Sequence, residues 1–140
     1  MENKKIEITI DIEVIADIKK VWEVLTEPKH IINWNFANED WYCPKAENNL
    51  KVSEKFNYRM EAKDGSFGFN FWGTYTEIET YKKLFSILGD GRKLKILLQE
   101  KNGSTIITET FEAEDQNSIE LQKNGWQSIL NNLKKYTETL

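Results

Sequence analysis

A long stretch of alternating apolar and polar residues constrains this chain more than any other feature. From about Val52 to Ala113, apolar residues recur at every second position, in segments separated by turn residues such as Asp64-Gly65 and Asn102-Gly103. Segments of this kind, joined by hairpin turns, are typical of an antiparallel meander of strands. One face of such a sheet is apolar, and another element must cover it.

The two ends of the chain have different periods. Residues 6–14 alternate strictly, with β-branched residues on one face, which predicts a long half-buried strand. Residues 118–140 return to a helical period, with Ser118 placed to begin the helix. Gly125 beside Trp126 indicates close backbone packing at that point. The apolar stripe of this helix comprises Trp126, Ile129, Leu130, Leu133, Tyr136 and Leu140.

Residues 17–50 predict two short helices and then a loop. The apolar residues Ile18, Val21, Trp22 and Leu25 share one face of the first helix. Asp17 is placed as its N-cap, and Pro28 ends it. A second short helix is expected from about Pro28 to Asn33, followed by a long aromatic-rich loop. Gly73, inside the strand expected from Ser66 to about Ile78, predicts a bulge or a sharp bend.

Together these patterns predict a single α+β domain over residues 1–140. A curved antiparallel sheet of six or seven strands wraps around the long C-terminal helix, and two short helices follow the first strand. A helix about 10 Å wide cannot fill a wide concave face. The remaining space is therefore either packed with large side chains or kept as a ligand cavity.

Composition excludes several classes of function. The net charge is −4, and Arg59 and Arg92 are the only arginines, so the chain lacks the basic surface that binds nucleic acid. Cys43 and His30 are each alone, which excludes a disulfide framework and a multi-histidine site. No glycine-rich nucleotide motif is present, and we expect no metal and no cofactor. Without an apolar run near the roughly 20 residues of a membrane helix, or a signal-peptide block, we expect no membrane span and a cytoplasmic location.

Two polar residues on apolar faces are the candidates for catalysis. Tyr58 and Glu109 each lie between apolar residues of the same strand parity. A carboxyl group in an apolar cavity has a raised pKa, as a general acid or base near neutral pH requires. The opposite register would place Ile106, Thr108 and Thr110 inward and Glu109 in water. Tyr58 is alternatively a hydrogen-bond donor to a ligand.

Other residues each have a functional and a structural interpretation. Arg92 either attracts an anionic ligand at a cavity mouth or pairs with a surface carboxylate. His30 is either a general base or a histidine at a helix end, and Cys43 is expected to be inert. Trp34, Phe36 and Trp41 either gate the cavity or form a satellite cluster under a loop. The predicted ligand-binding residues are Trp34, Trp41, Phe56, Tyr58, Met60, Phe69, Phe71, Tyr75, Arg92, Ile96, Glu109, Trp126 and Leu130.

Three segments carry a resemblance to a known superfamily. They are Ala16–Pro28 (ADIKKVWEVLTEP), Met60–Ile78 (MEAKDGSFGFNFWGTYTEI) and Gln122–Tyr136 (QKNGWQSILNNLKKY). In this order and spacing, the chain resembles the START-like (SRPBCC) helix-grip superfamily of lipid-transfer domains, the birch-pollen allergen and polyketide cyclases. Within it, the chain most resembles bacterial single-domain homologues of the activator of the 90-kDa heat-shock protein ATPase. The resemblance covers nearly the whole chain and implies the helix-grip fold.

The resemblance is less informative about activity. The eukaryotic co-chaperone that names this branch has a further N-terminal domain with its ATPase-stimulating motif, which has no counterpart here. Relatives often have Gly-Gly before the second long strand, where this chain has Ser53-Glu54. That departure puts the bend of the strand in question and is expected to bring a carboxylate to one end of the cavity.

We expect a protein that binds a small apolar ligand, aromatic or lipid-like, between the sheet and the C-terminal helix. Two alternatives are a cyclase or aromatase that uses the same cavity and a module that binds a chaperone partner. The outer face of one strand reads Lys55, Asn57, Arg59 and Glu61, which argues against the partner module. The oligomeric state stays open.

Overall fold

The computed structural model describes residues 5–140 and contains the expected α+β architecture. One antiparallel sheet of seven strands curls around a long C-terminal helix, and two short helices follow the first strand. The elements are β1 Glu7–Val14, α1 Ile18–Thr26, α2 Pro28–Ile31, β2 Trp41–Asn48, β3 Lys55–Ala62, β4 Gly68–Glu79, β5 Lys83–Leu88, β6 Lys93–Lys101, β7 Ser104–Glu112 and α3 Ile119–Glu138. No helix in this part of the chain has the length and apolarity to span a membrane.

The strand order is β1-β7-β6-β5-β4-β3-β2. Strands from β2 to β7 are joined as successive antiparallel neighbours, and β1 closes the far edge by pairing with β7. In this register Glu109 of β7 stands between Ile10 of β1 and Ile96 of β6. The even-numbered residues of β3 are buried, as their alternation predicts.

The helix α3 begins where the sequence indicates. The Ser118 hydroxyl accepts a hydrogen bond from the Leu121 N–H and caps the helix. The helix packs closely against β1 and α1. Gln127 donates to the Asp11 carbonyl at 3.2 Å, and Lys134 donates to the Glu13 carbonyl at 2.7 Å.

The expected long loop before β3 is wrong, because residues 41–48 form the edge strand β2. Pro44 interrupts this strand, and its pairing with β3 shifts between Tyr42 and Lys45. Proline is confined to edge strands and bulges because it has no N–H to donate to the sheet. The sequence shows no alternation here, since the bulge breaks the period of two.

Three local expectations also need correction. The second helix ends at Ile31, and α3 ends at Glu138, so Leu140 lies beyond its stripe and is exposed. The bulge expected at Gly73 lies between Tyr75 and Glu77. Gly73 instead permits a close backbone approach, because a Cβ atom there would lie 2.9 Å from the Ile87 carbonyl oxygen.

The turn before β3 holds a strained residue. Ser53 has a φ of +75°, in the left-handed region that favours glycine. Its N–H donates to the Tyr75 carbonyl at 2.9 Å, and the Glu54 carbonyl accepts from the Tyr75 N–H at 3.0 Å. The turn therefore keeps the glycine-like conformation that Gly-Gly would allow, although this chain has a side chain there.

Replacing Ser53 by glycine should stabilise the protein. Because a Cβ atom is disfavoured at positive φ, Ser53→Gly should raise the free energy of unfolding by about 1 kcal/mol and Tm by roughly 3–5 °C. Urea unfolding followed by tryptophan fluorescence measures the change. Ser53→Ala, which retains the Cβ atom, is the control and should show no comparable gain. A glycine variant no more stable than the alanine variant would contradict the account of strain.

Candidate functional site

A cavity of about 400 Å³ lies between the concave face of the sheet and α3. Strands β3 to β7 form its floor, and α3 covers it together with residues of α1 and of the loop after β7. The helix stays close to β1 and α1 at one side of the sheet. It therefore stands away from the middle strands, and the space between them is not filled.

Aromatic rings of β3 and β4 form one wall of the cavity. The ring centroid of Phe56 lies 5.0 Å from that of Tyr58 and 5.5 Å from that of Tyr75. Phe71 pairs with Tyr58 across the two strands, and their ring centroids are 6.4 Å apart. Such tilted rings pack favourably, and the wall offers flat apolar surface to an aromatic or aliphatic ligand.

Trp126 connects α3 to the sheet. Its ring stacks on Phe111 of β7 with centroids 3.9 Å apart and planes inclined by 11°. It also meets Phe71 of β4 edge to face at 5.7 Å. These contacts fix the first half of α3 over the cavity.

The close packing expected at Gly125 is wrong. A Cβ atom on Gly125 would meet no atom within 4 Å. Gly125 lines the cavity, so its missing side chain leaves free space next to the helix.

Glu109 is the buried carboxyl group of the cavity. Its side chain points inward, with 8 % of the residue exposed, so the register that would place it in water does not occur. Within residues 5–140, no hydrogen bond or ion pair reaches its carboxyl group. Burial alone raises the pKa of Glu109 from its usual 4.5 to about 8. At neutral pH the group is therefore mainly a protonated acid with an O–H to donate.

The two tyrosines lie in a different environment. The Tyr75 hydroxyl donates to the Asn48 side chain at 2.6 Å, and the Asn48 amide donates to the Thr26 carbonyl at 2.7 Å. Burial raises the pKa of Tyr75 to about 12. Burial raises the pKa of Tyr58 well above its usual range, and the neighbouring Tyr75 phenol makes a smaller contribution in the same direction. Both phenols therefore stay protonated at physiological pH.

Polar groups gather where the β5–β6 turn meets the loop after β7. Arg92 donates to the Asp90 carboxylate at 2.7 Å and to the Glu112 carbonyl at 3.1 Å, so it pairs with a surface carboxylate while it lines the cavity. Gln122 of α3 donates to the carbonyls of Glu114 and Asn117 at 3.1 and 2.8 Å. These bonds hold the loop against the beginning of α3.

The structure brings most of the predicted ligand-binding residues together. Those that line the cavity are Trp34, Phe56, Tyr58, Met60, Phe69, Phe71, Tyr75, Arg92, Ile96, Glu109 and Trp126. Trp41 and Leu130 do not line it. Leu130 belongs to the core, and Trp41 on the edge strand packs edge to face on Phe67 and Phe69 at 6.1 and 6.0 Å.

Other residues line the cavity but are absent from the predicted set. They are Leu25, Asn35, Leu84, Ser86, Leu94, Glu114, Asn117, Leu121, Gln122, Gly125 and Ile129. The strand parity that indicates Ile96 as a cavity residue also places Leu94 inward. The loop residues Glu114 and Asn117 have no periodic signal. Leu121 and Gln122 precede the apolar stripe of α3, so the stripe did not reveal them.

The three aromatic residues considered as a gate do not act together. Trp34 is buried, and its indole N–H donates to the Val24 carbonyl at 2.9 Å. The Phe36 carbonyl accepts a hydrogen bond from the Asn132 side chain of α3. Trp41 packs near the β3–β4 hairpin instead. Neither a common gate nor one satellite cluster describes them.

The remaining candidates lie outside the cavity. His30 Nδ1 is 2.7 Å from the Tyr136 hydroxyl oxygen, at the junction of α2 and α3. Potential ligand atoms of Glu23, Glu27 and His30 lie within 4.8 Å of one another, but nothing further points to an ion there. Cys43 is buried, and burial raises the pKa of its thiol. Glu54 is exposed and does not line the cavity, contrary to the expectation from its position.

Comparison with known proteins identifies the family. The family described as Activator of Hsp90 ATPase homolog 1-like protein matches residues 16–138. The chain belongs to this family. No curated protein matches it.

Solved structures of family members and of similar fold agree with this assignment. The AHSA1-like protein from Aeromonas hydrophila is 36% identical, with 96% of this chain and 93% of that chain covered and a TM-score of 0.90. A Cytophaga hutchinsonii protein is 43% identical, with 95% and 92% covered and a TM-score of 0.82. A Nitrosomonas europaea protein at 18% identity, covering 99% and 97% with a TM-score of 0.81, shows the same fold.

The buried carboxyl group predicts a pH-dependent stability. Glu109 binds its proton more tightly in the folded protein than in the unfolded chain. Its stabilising contribution is therefore fully present below pH 4.5 and is lost as the pH rises towards about 8. Glu109→Gln should remove this dependence. The free energy of unfolding of the variant, measured relative to the wild type, should therefore be higher at pH 8 than at pH 4.5 by on the order of 1–3 kcal/mol.

Urea unfolding of both proteins across this pH range measures the difference. Glu100→Gln, on an exposed position of β6, is the control and should leave the pH profile unchanged. Parallel profiles for wild type and Glu109→Gln would show that Glu109 does not titrate as described.

Proposed function

We propose that this protein binds a small apolar molecule, aromatic or lipid-like, in the cavity between the sheet and α3. The observation that carries the proposal is an unfilled volume of about 400 Å³ with a mainly apolar lining. Ligand sites are typically concave, mostly apolar and furnished with a few polar groups. Tyr58, Arg92 and Glu109 are the polar groups that we propose orient the ligand.

The size of the cavity suits this role. A ligand that buries about 300 Å² of apolar surface gains roughly 7 kcal/mol before ordering costs are subtracted. The aromatic rings of β3 and β4 supply flat surface without requiring a particular hydrogen-bond pattern. Affinity would therefore come mainly from burial, and orientation from the polar groups.

An enzyme of the cyclase or aromatase kind is a second candidate for the same cavity. Glu109 favours it, because its pKa of about 8 suits proton transfer near neutral pH. This candidate predicts a turnover rate that depends on pH and is lost in Glu109→Gln or Tyr58→Phe. A protein that only binds its ligand would keep most of its affinity in at least one of these variants.

The chaperone-partner module has less support. The outer face of β3 is polar, as its sequence indicates. Exposed Trp72, Ile87 and Leu97 are spread over the neighbouring strands, and Lys55 lies 5.0 Å over the Trp72 ring. Recovery of a 90-kDa chaperone with the protein from cell extract would favour this module. The single-domain organisation and the cytoplasmic location remain predictions that accompany the proposal.

Two measurements test the proposal on the wild-type protein. Native mass spectrometry after gentle purification should reveal a bound mass, and a thermal-shift screen with aromatic compounds and fatty acids should find stabilising ligands. A ligand at 100 times its Kd adds about 2.7 kcal/mol to the free energy of unfolding. No bound mass and no shift across the screen would contradict ligand binding.

Filling the cavity at Gly125 separates ligand binding from stability. Gly125→Leu places a side chain in the free space and improves helix propensity by up to about 1 kcal/mol. We therefore expect ligand affinity to fall at least tenfold while Tm stays equal or rises. Thermal shift and calorimetric titration measure the two effects.

Asn124→Leu is the matched control, since its neighbouring position on α3 is exposed. It should leave ligand affinity unchanged. Equal affinity in Gly125→Leu and the wild type would place the ligand outside this cavity.

A further inference from the structure

Of the two carboxyl groups that line the cavity, Glu114 accepts a hydrogen bond from the Asn117 N–H, whereas Glu109 has no partner within residues 5–140. The residue is 92% buried, since 8 % is exposed. Its strand neighbours in register are Ile10 and Ile96, which offer no polar side chain. Within residues 5–140 no fully enclosed side-chain nitrogen or oxygen lacks a hydrogen-bond partner. The carboxyl group, which has no partner in the protein, therefore meets the cavity itself.

The charged lining of the cavity disfavours an anionic ligand. Besides Tyr58 and Tyr75, the charged or titratable residues that line the cavity are Arg92, Glu109 and Glu114. Arg92 is the one cation among these described lining residues, and it is paired with Asp90 at 2.7 Å. A ligand carboxylate would thus enter a space that holds two carboxyl groups and no free positive charge. Desolvating an anion without a partner is costly.

An uncharged ligand avoids the cost of burying charge. A cationic amine would have to lose its hydration and ionise Glu109, and the attraction within a buried ion pair often fails to repay that loss. When a protonated carboxyl group donates a hydrogen bond to an uncharged acceptor, no ion has to be desolvated. Glu109 supplies such a donor at neutral pH, because burial holds its pKa near 8.

We propose that the ligand is an uncharged aromatic molecule whose carbonyl oxygen accepts a hydrogen bond from the Glu109 carboxyl group. This inference rests on the proposed function and specifies the class of ligand. The aromatic body packs against the rings of the β3–β4 wall, and the carbonyl group satisfies Glu109. The ligand carbonyl thus supplies the hydrogen-bond partner that the fold does not give to the Glu109 carboxyl group.

Four naphthalene probes of nearly equal shape test the inference. They are 2-acetylnaphthalene, 2-isopropylnaphthalene, 1-(2-naphthyl)ethylamine and 2-naphthoate, which present a ketone, a hydrocarbon, an amine and a carboxylate. Calorimetric or fluorescence titration gives the Kd of each for wild type, Glu109→Leu, Glu109→Gln and the control Glu100→Gln, whose position on β6 is exposed and outside the cavity.

We expect the ketone to bind best and naphthoate worst in the wild type. The ratio of ketone to hydrocarbon affinity should fall about 3- to 10-fold in Glu109→Leu, the loss that one hydrogen bond represents. It should survive in Glu109→Gln, whose amide still donates, and in Glu100→Gln. In the wild type, the same ratio should also fall as the pH rises past about 8, and in Glu109→Gln it should not.

The outcomes separate this inference from the proposed function. A ketone-to-hydrocarbon ratio that is equal in wild type and Glu109→Leu overturns the inference but leaves ligand binding intact. If the amine or naphthoate binds more tightly than the ketone, the inference that the ligand is uncharged is wrong. If none of the four probes binds but native mass spectrometry or the fatty-acid screen finds a ligand, the inference fails and the proposed function stands. If no experiment finds a ligand, both fail.

Discussion

The position of α3 over the curved sheet determines the rest of this structure. The helix is held at one side by its packing on β1 and α1 and by the stack of Trp126 on Phe111. A helix about 10 Å wide cannot cover the whole concave face of seven strands. Aromatic side chains of β3 and β4 fill part of the remainder, and Gly125 adds further space by its lack of a side chain. The cavity is therefore a direct consequence of how one helix covers one sheet.

The hydrogen bonds within the cavity distinguish the polar groups that the fold satisfies from the carboxyl group that it leaves unsatisfied. Tyr75 is bonded to Asn48, which in turn binds the carbonyl of Thr26, so these groups connect β4, β2 and α1. Arg92 is bonded to the turn that precedes it and to β7. Glu109 has no such partner and opposes folding at neutral pH. Proteins commonly retain destabilising groups where function requires them, and this unsatisfied carboxyl group supports the role proposed for Glu109.

Much of the fold could be predicted because its elements have clear periods. The alternation in β1, β3 and β7 and the helical stripe of α3 depend on local burial, which the sequence expresses directly. The edge strand β2 could not be found, because Pro44 and the accompanying bulge remove its alternation. The environment of Gly125 could not be found either, since the sequence does not show how far a helix stands from a sheet.

The candidate site was predictable to the same extent as the strands that carry it. Strand parity identified Tyr58, Phe71 and Glu109, whereas the register of β7 was needed to decide that Glu109 faces inward. The part of the lining that comes from Glu114, Asn117 and Leu121 depends on how a loop meets the beginning of a helix. No local pattern encodes that contact.

The central claim is that an apolar ligand occupies the space between the sheet and α3. Intermolecular nuclear Overhauser effects between a bound naphthyl ketone and the methyl groups of the protein test it most directly. The account predicts contacts from the naphthyl protons to Leu84, Leu94, Ile96 and Ile129, which line the cavity. Contacts confined to exposed methyl groups such as those of Ile87 and Leu97 would contradict it, because those residues lie on the outer surface.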